Sequence, residues 1–299
     1  MVYIKLEFPK PAPDRVHPAD PENRSAPTPL ASHPRPRRSH EGTGRLMLAT
    51  LTQYTGLAAA DLLIVLAAVF MAGLIRGFAG FGLSAIVMAS VAIVIPPVEL
   101  IPMCYLLEGA ASLAMFRGGM AHANMKIVWG LVICSAIGVP LGLLATTRID
   151  VDLSRKLALS LILALTLAQF FRLKPAFLST QKGLYASGLT AGIATGLASV
   201  GGMVIALYVL ASEAPPRQMR ASLVMFLAIS MFTSLVSLIA YDLMTIQAIW
   251  RGVLMAPVVL IGVFAGIWLF RPAYEHLYKA ACLVLLALLS TAGLISQLS

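Results

Sequence analysis

From Leu48 to its end the chain is an almost unbroken series of apolar runs, and no other feature restricts its fold as much. Charge-poor runs fall at about 57–75, 83–95, 98–116, 127–146, 156–171, 184–199, 202–212, 221–240, 252–270 and 280–296. A helix that crosses a bilayer needs about 20 mainly apolar residues, and a run of 10–14 more often marks a half-length or re-entrant segment. Seven of these runs are long enough, or nearly so, to cross; 83–95 and 202–212 are too short, and 184–199 is borderline. Lipid offers the backbone no hydrogen-bond partners, so runs of this kind must be helices. With 8% aromatic residues and no alternating polarity, the chain does not suit an outer-membrane barrel. The expectation is an all-α polytopic membrane protein.

Composition agrees and excludes the main soluble classes. The 299 residues are 59% hydrophobic and 12% charged, where a soluble domain carries roughly 25% charge. The net charge of +9 does not mark a nucleic-acid partner: eight of the 22 Lys and Arg lie in the first 46 residues, and most others stand singly at the ends of apolar runs. Residues 1–46 also hold nine of the 18 prolines and few large apolar side chains, which reads as a disordered tail. An alternative is a misassigned start, with Met47 the true first residue. The expected divisions are the tail at 1–46, a first transmembrane repeat at 47–178 and a second at 179–299.

The division into repeats rests on two matching glycine-rich breaks. Gly73-Leu-Ile-Arg-Gly-Phe-Ala-Gly-Phe-Gly82 aligns with Gly192-Ile-Ala-Thr-Gly-Leu-Ala-Ser-Val-Gly201 at an offset of 119, and Pro96-Pro97 then falls on Pro215-Pro216 without a gap. Val128-Trp129 matches Ile249-Trp250 at an offset of 121, and Lys156 matches Lys279 at 123. Such a drifting register is that of a duplication with small loop insertions. About eight full crossings follow, four in each repeat, with one broken or re-entrant helix per repeat. The repeats are parallel if each has an even number of crossings and inverted if odd. The prolines read as helix terminators.

Broken helices facing each other inside a bilayer are a construction of transporters. Glycine permits the unwound backbone and lets a substrate approach it. The helices restarting at Leu83 and Met203 would turn free N–H groups and positive dipole ends toward the breaks, which suits an anion. The substrate-binding candidates are therefore Arg76, Gly77, Gly80, Gly82, Ser84, Thr195, Gly196, Ser199, Gly201, Gly202 and Arg220. The competing reading is close helix packing through Gly-x3-Gly patterns, and for Arg220 interfacial snorkelling.

Buried charge is a second pointer, since an ionisable group at membrane depth costs at least a few kcal/mol. Glu108 lies mid-run among apolar and small residues. It is a proton-coupling candidate, or the partner of Arg76 or Arg117. Asp61 and Asp242 lie near run ends and are expected to face water. No G-x4-GK[ST], HExxH, CxxC or G-x-S-x-G occurs, so no catalytic residue, metal site or cofactor is expected. Cys104, Cys134 and Cys282 stand alone in apolar runs and read as core packing.

Arg-Gly-Phe-Ala-Gly-Phe-Gly (76–82), the paired prolines, Gly138-Val-Pro-Leu-Gly142 and Pro-Pro-Arg-Gln-Met-Arg-Ala-Ser (215–222) together resemble the sulfite exporter TauE/SafE family of membrane permeases. The likeness covers about residues 57–296. It implies a multi-pass permease of the bacterial inner membrane for anions such as sulfite, sulfonates or other organic acids. The sequence departs from the family's richer glycine runs at Gly82-Leu-Ser84 and Gly201-Gly-Met203, and Met103-Cys104 replaces a Thr-Ser after the first proline pair. The expected function is secondary transport of a small anion bound between the two breaks; an anion channel on the same scaffold is the alternative. The expected partners are the small anion and the lipid bilayer, with homo-oligomeric assembly left open.

Overall fold

The computed structural model describes residues 52, 54–120, 122–173, 175–211, 215–269 and 275–297, without the side chains of 117–119, 216, 217, 220 and 275–279. The tail at 1–46, Met47 and the side chains of Arg117 and Arg220 thus lie outside the described residues. Among those described, every regular element is a helix. The order is α1 Ala59–Ala79, α2 Leu83–Val91, α3 Pro97–Met120, α4 Met125–Arg148, α5 Val151–Phe170, a 3₁₀ turn Ala176–Ser179, α6 Gln181–Ala198, α7 Gly201–Ala211, α8 Pro216–Ala240, α9 Ile246–Leu269 and α10 Glu275–Ser296.

Local chemistry sets several of the boundaries. The Asn124 side chain accepts from the N–H groups of Lys126 and Ile127 and starts α4, Asp150 caps Leu153 N–H at the start of α5, and Thr180 caps Gly183 N–H in α6. The paired prolines do not act as terminators: Pro97 and Pro216 are the first residues of α3 and α8. Proline has no N–H to leave unpaired there, and its fixed φ already suits the first helical turn.

Five helical stretches are long and apolar enough to cross a membrane among the described residues: Ala59–Ala79, Pro97–Phe116, Met125–Arg148, Ala221–Ala240 and Ile246–Leu269. The helix α5 has 20 residues and α10 has 22, each about 30 Å long at 1.5 Å per residue. The outer faces carry large exposed apolar side chains at helical spacing, such as Ile133, Ile137, Leu141 and Leu144 on α4 and Ile261, Phe264 and Trp268 on α9. A soluble monomer rarely exposes apolar surface on this scale, and lipid is the solvent that fits it.

Two parallel, close-packed helix pairs frame the molecule, α1 with α9 and α4 with α6. Both use glycine where the backbones touch. A Cβ at Gly77 would lie 2.9 Å from Gly266 Cα and from Ile267 N, and a Cβ at Gly196 would lie 2.5 Å from Val139 O and 2.7 Å from Gly142 C. Gly73 and Gly262 meet in the first pair as Gly192 and Gly138 meet in the second.

Contacts at the helix ends give the direction of travel. Thr55 O, just before α1, accepts from Arg251 Nε near the start of α9 at 2.8 Å, and Arg251 reaches Glu99 at the start of α3 at 2.6 Å. The stretch after α2 lies on this same face, because Arg155 Nε donates to Ala92 O at 2.7 Å and Pro96–Val98 line a cleft with Thr146, Thr147, Ile149 and Ser154. The pair α1–α2 therefore enters and leaves by one face. On the opposite face, Asn124 N donates to Ser222 Oγ at 2.9 Å, so α4 and α8 start together; Tyr241 OH reaches Pro140 O at 3.2 Å toward their far ends. Since α3 runs against α4, it also runs against α8.

Candidate functional site

The first break is three residues long. Helix α1 ends at Ala79; Gly80 (φ 83°) and Gly82 (φ 90°) both take the left-handed conformation, and α2 restarts at Leu83. Only glycine adopts that region without steric cost, so these two residues make the turn itself. The second break is shorter. Helix α6 ends at Ala198, Ser199 (φ 57°) is left-handed, and α7 begins at Gly201 rather than at Met203. A Cβ at Gly201 would overlap the Thr195 hydroxyl and the Ala191 carbonyl, so the absence of a side chain allows α7 to fold back on α6.

Arg76 and Glu108 meet at the first break. Arg76 is wholly buried; its guanidinium donates to the Gly80 carbonyl and to Ser112 Oγ (3.1 Å), and its Nε lies 3.4 Å from Glu108 Oε2. The other carboxylate oxygen, Oε1, accepts from Ser84 Oγ at 2.9 Å and from Ser84 N–H at 3.3 Å. The carboxylate thus sits on the N-terminus of α2, where free N–H groups and the helix dipole favour negative charge. Of the alternatives open for Arg76 and Glu108, the structure realises their pairing.

A cavity of about 50 Å³ opens at the second break. One water needs about 10–15 Å³ of such volume, so this space exceeds a single solvent molecule. Thr195, Ser199, Gly201 and Gly202 line it from the break, Tyr105 and Glu108 from α3, Val139 and Leu143 from α4, and Ser230, Ser234 and apolar neighbours from α8. The walls combine hydroxyls, exposed backbone at the start of α7 and one carboxylate already paired with a cation. Thr195 Oγ1 donates to Ala191 O at 2.8 Å, which leaves its lone pairs toward other donors.

Not every expected site residue meets here. Thr195, Ser199, Gly201, Gly202 and Glu108 do; Arg76, Gly80, Gly82 and Ser84 stand behind Glu108 at the first break. Gly77 and Gly196 lie against α9 and α4, where a Cβ would strike backbone, so they follow the packing reading instead of the binding one. Arg220 lies on α8, its side chain outside the described residues. Of the run-end carboxylates, Asp242 is exposed and Asp61 partly so. Cys104, Cys134 and Cys282 are free thiols, and the first and last are buried. Among the described residues no cluster of His, Cys, Asp and Glu has the form of a metal site.

Sequence reasoning missed Tyr105, Ser230 and Ser234. The two serines are spaced by one helical turn, a signal that was available. It also missed the buried Arg251, which joins the starts of α1, α3 and α9.

The scaffold defined by these features is that of a polytopic membrane transport protein. The family model described as Sulfite exporter TauE/SafE matches residues 65–292, and the chain belongs to that family. It is accordingly a membrane transporter and not an enzyme. No curated protein and no solved structure matches the chain.

Proposed function

We propose that the chain is a secondary transporter for a small anion, of the class of sulfite, an organosulfonate or a related organic acid, in the bacterial inner membrane. The observation that carries this reading is the cavity at the second break, where hydroxyls and the N-terminus of α7 face one another beside a carboxylate that already has its counter-ion. A pocket without unpaired charge and with a helix N-terminus at its wall suits an anion, because helix N-termini bind negative charge without needing a lysine or arginine. Since Arg76 offsets Glu108, an anion entering the cavity meets no net negative wall.

The two halves are copies in inverted orientation. Helices α1 to α5 recur as α6 to α10; α1 packs on α9 as α6 packs on α4, and α3 runs against α8. Each half then contributes three crossings and one re-entrant pair, against the four crossings expected from run lengths alone. Transport proceeds by rocking of the halves about the cavity, with Glu108 as the proton-coupling group.

The test is flux of sulfite into proteoliposomes. Folded Gly80→Leu, Gly201→Leu and Gly202→Leu proteins are expected to lose saturable uptake, and Glu108→Gln is expected to uncouple it from a proton gradient. Normal coupled flux in all four overturns the reading. Non-saturating current replaces it with a channel.

A further inference from the structure

The two breaks follow one plan but are furnished differently. Arg76 and Thr195 occupy the same place, one turn before the break, at the 119-residue offset. Glu108 stands eleven residues after Pro97 in α3, and the residue eleven after Pro216 in α8 is Leu227. At the first break the Glu108 carboxylate is held by Ser84 N–H and Oγ at the start of α2, with Arg76 on its other side. At the second break Leu227 lies over the start of α7: a Cβ at Gly202 would come 3.3 Å from Leu227 Cδ2, and both residues line the cavity. One break therefore holds a carboxylate where the other has an open cavity.

We infer that the first break is an anion half-site occupied by the protein's own side chain: Glu108 holds there the position that a free anion takes at the second break. This rests on the anion-binding reading of the cavity. Beyond the helix terminus, a second feature identifies the first break as a place built for an anion. Arg76 is fully buried, and its Nε, aimed at the carboxylate, makes no hydrogen bond, nor does Glu108 Oε2. A guanidinium with an unused donor in an apolar interior is a receptor for an oxyanion. One chain thus offers one anion site instead of two. Leu227 and Thr195 leave the second break without a charged pair, because an apolar side chain and a hydroxyl stand there where Glu108 and Arg76 stand at the first.

The test vacates the first half-site. In full-length purified Glu108→Ala, formate is expected to raise the thermal unfolding midpoint saturably and by clearly more than it does for the wild type. Arg76→Met/Glu108→Ala is expected to return to the wild-type response. An equal formate response in wild type and Glu108→Ala, or an undiminished one in the double variant, overturns the inference. Should Glu108→Ala fail to accumulate, Thr195→Arg/Leu227→Glu carries the test. The transplanted pair is expected to fill the cavity and abolish the sulfite-dependent shift of the wild type, and a retained shift overturns the inference. If the wild type shows no sulfite shift, the transport reading fails on its own, while the formate response still reports on the first half-site.

Discussion

Arg76 and Glu108, 32 positions apart in sequence, form an ion pair with 3.4 Å between Nε and Oε2, and each also bonds the backbone or a hydroxyl beside the first helix break. The arrangement joins α1, α2 and α3 at one point. Arg76 donates to the Gly80 carbonyl in the turn, and Glu108 accepts from the N–H and hydroxyl of Ser84 in the helix that follows, so the pair clamps both sides of the break. Two charges placed in so apolar a setting are individually costly, and each makes the other tolerable.

Removing one member should therefore harm the protein more than removing both. Breaking a buried pair leaves an uncompensated charge and costs about 3–5 kcal/mol, whereas replacing the whole pair by apolar groups is often close to neutral. Arg76→Met and Glu108→Met are each expected to lower the unfolding midpoint strongly in detergent. The double variant Arg76→Met/Glu108→Met should recover most of the loss. A double-mutant cycle without coupling contradicts the clamp.

Glycines in the two breaks and in the two parallel helix pairs should respond differently. Gly196→Ala forces a methyl against Val139 O and Gly142, which are backbone and cannot yield. Overpacking of this kind costs about 1–3 kcal/mol. Gly202→Ala meets only the Leu227 side chain, at 3.3 Å, which can rotate away. It should leave the unfolding midpoint near the wild type and lower anion flux by narrowing the cavity. The two readouts, unfolding in detergent and flux in proteoliposomes, are expected to separate the variants in opposite directions.

Gly80 and Ser199 occupy the same left-handed position in the two breaks, with φ of 83° and 57°. A side chain there costs about 1–2 kcal/mol. Gly80→Ala should accordingly destabilise by that amount, and Ser199→Gly should stabilise by up to about 1 kcal/mol, measured as shifts of the unfolding midpoint. Opposite signs at the two positions are the signature of backbone strain and not of lost side-chain contacts.

Much of this architecture is legible in the sequence. The unbroken apolar runs dictate membrane helices, and the matched glycine patterns locate both breaks to within a residue or two. Sequence could not separate the glycines that turn the chain, Gly80 and Gly82, from Gly77 and Gly196, which lie one turn earlier. All belong to the same two glycine-rich stretches, and only the neighbouring helix distinguishes them. Arg76 and Glu108 were recognisable as charges needing an explanation, but their pairing depends on how α1 tilts against α3. The cavity serines on α8 escaped notice because a serine in a membrane helix usually bonds its own backbone, as Ser237 does with Thr233 O. The inverted orientation proposed for the second half was not legible in the sequence, because the length of a run does not tell a crossing helix from one that returns.

That direction yields the last prediction. The chain of contacts from Thr55 through Arg251 and Glu99, and from Ala92 to Arg155, assigns the starts of α1, α3, α5 and α9 to one face. The contact between Asn124 and Ser222 assigns the starts of α4 and α8 to the other. Asp150 precedes α5 and Asp242 precedes α9, so they share a face, while His122 precedes α4 and Arg172 follows α5 on the opposite one. In a background with Cys104, Cys134 and Cys282 replaced, single cysteines at 150 and 242 should react with an impermeant thiol reagent in the same vesicle preparation, right-side-out or inverted. Cysteines at 122 and 172 should react only in the other preparation. If α1 crossed and α2 did not return, Asp61 would face away from Asp150. Labelling of Asp61→Cys and Asp150→Cys from opposite sides would therefore refute the re-entrant pair, and labelling from one side supports three crossings in each half.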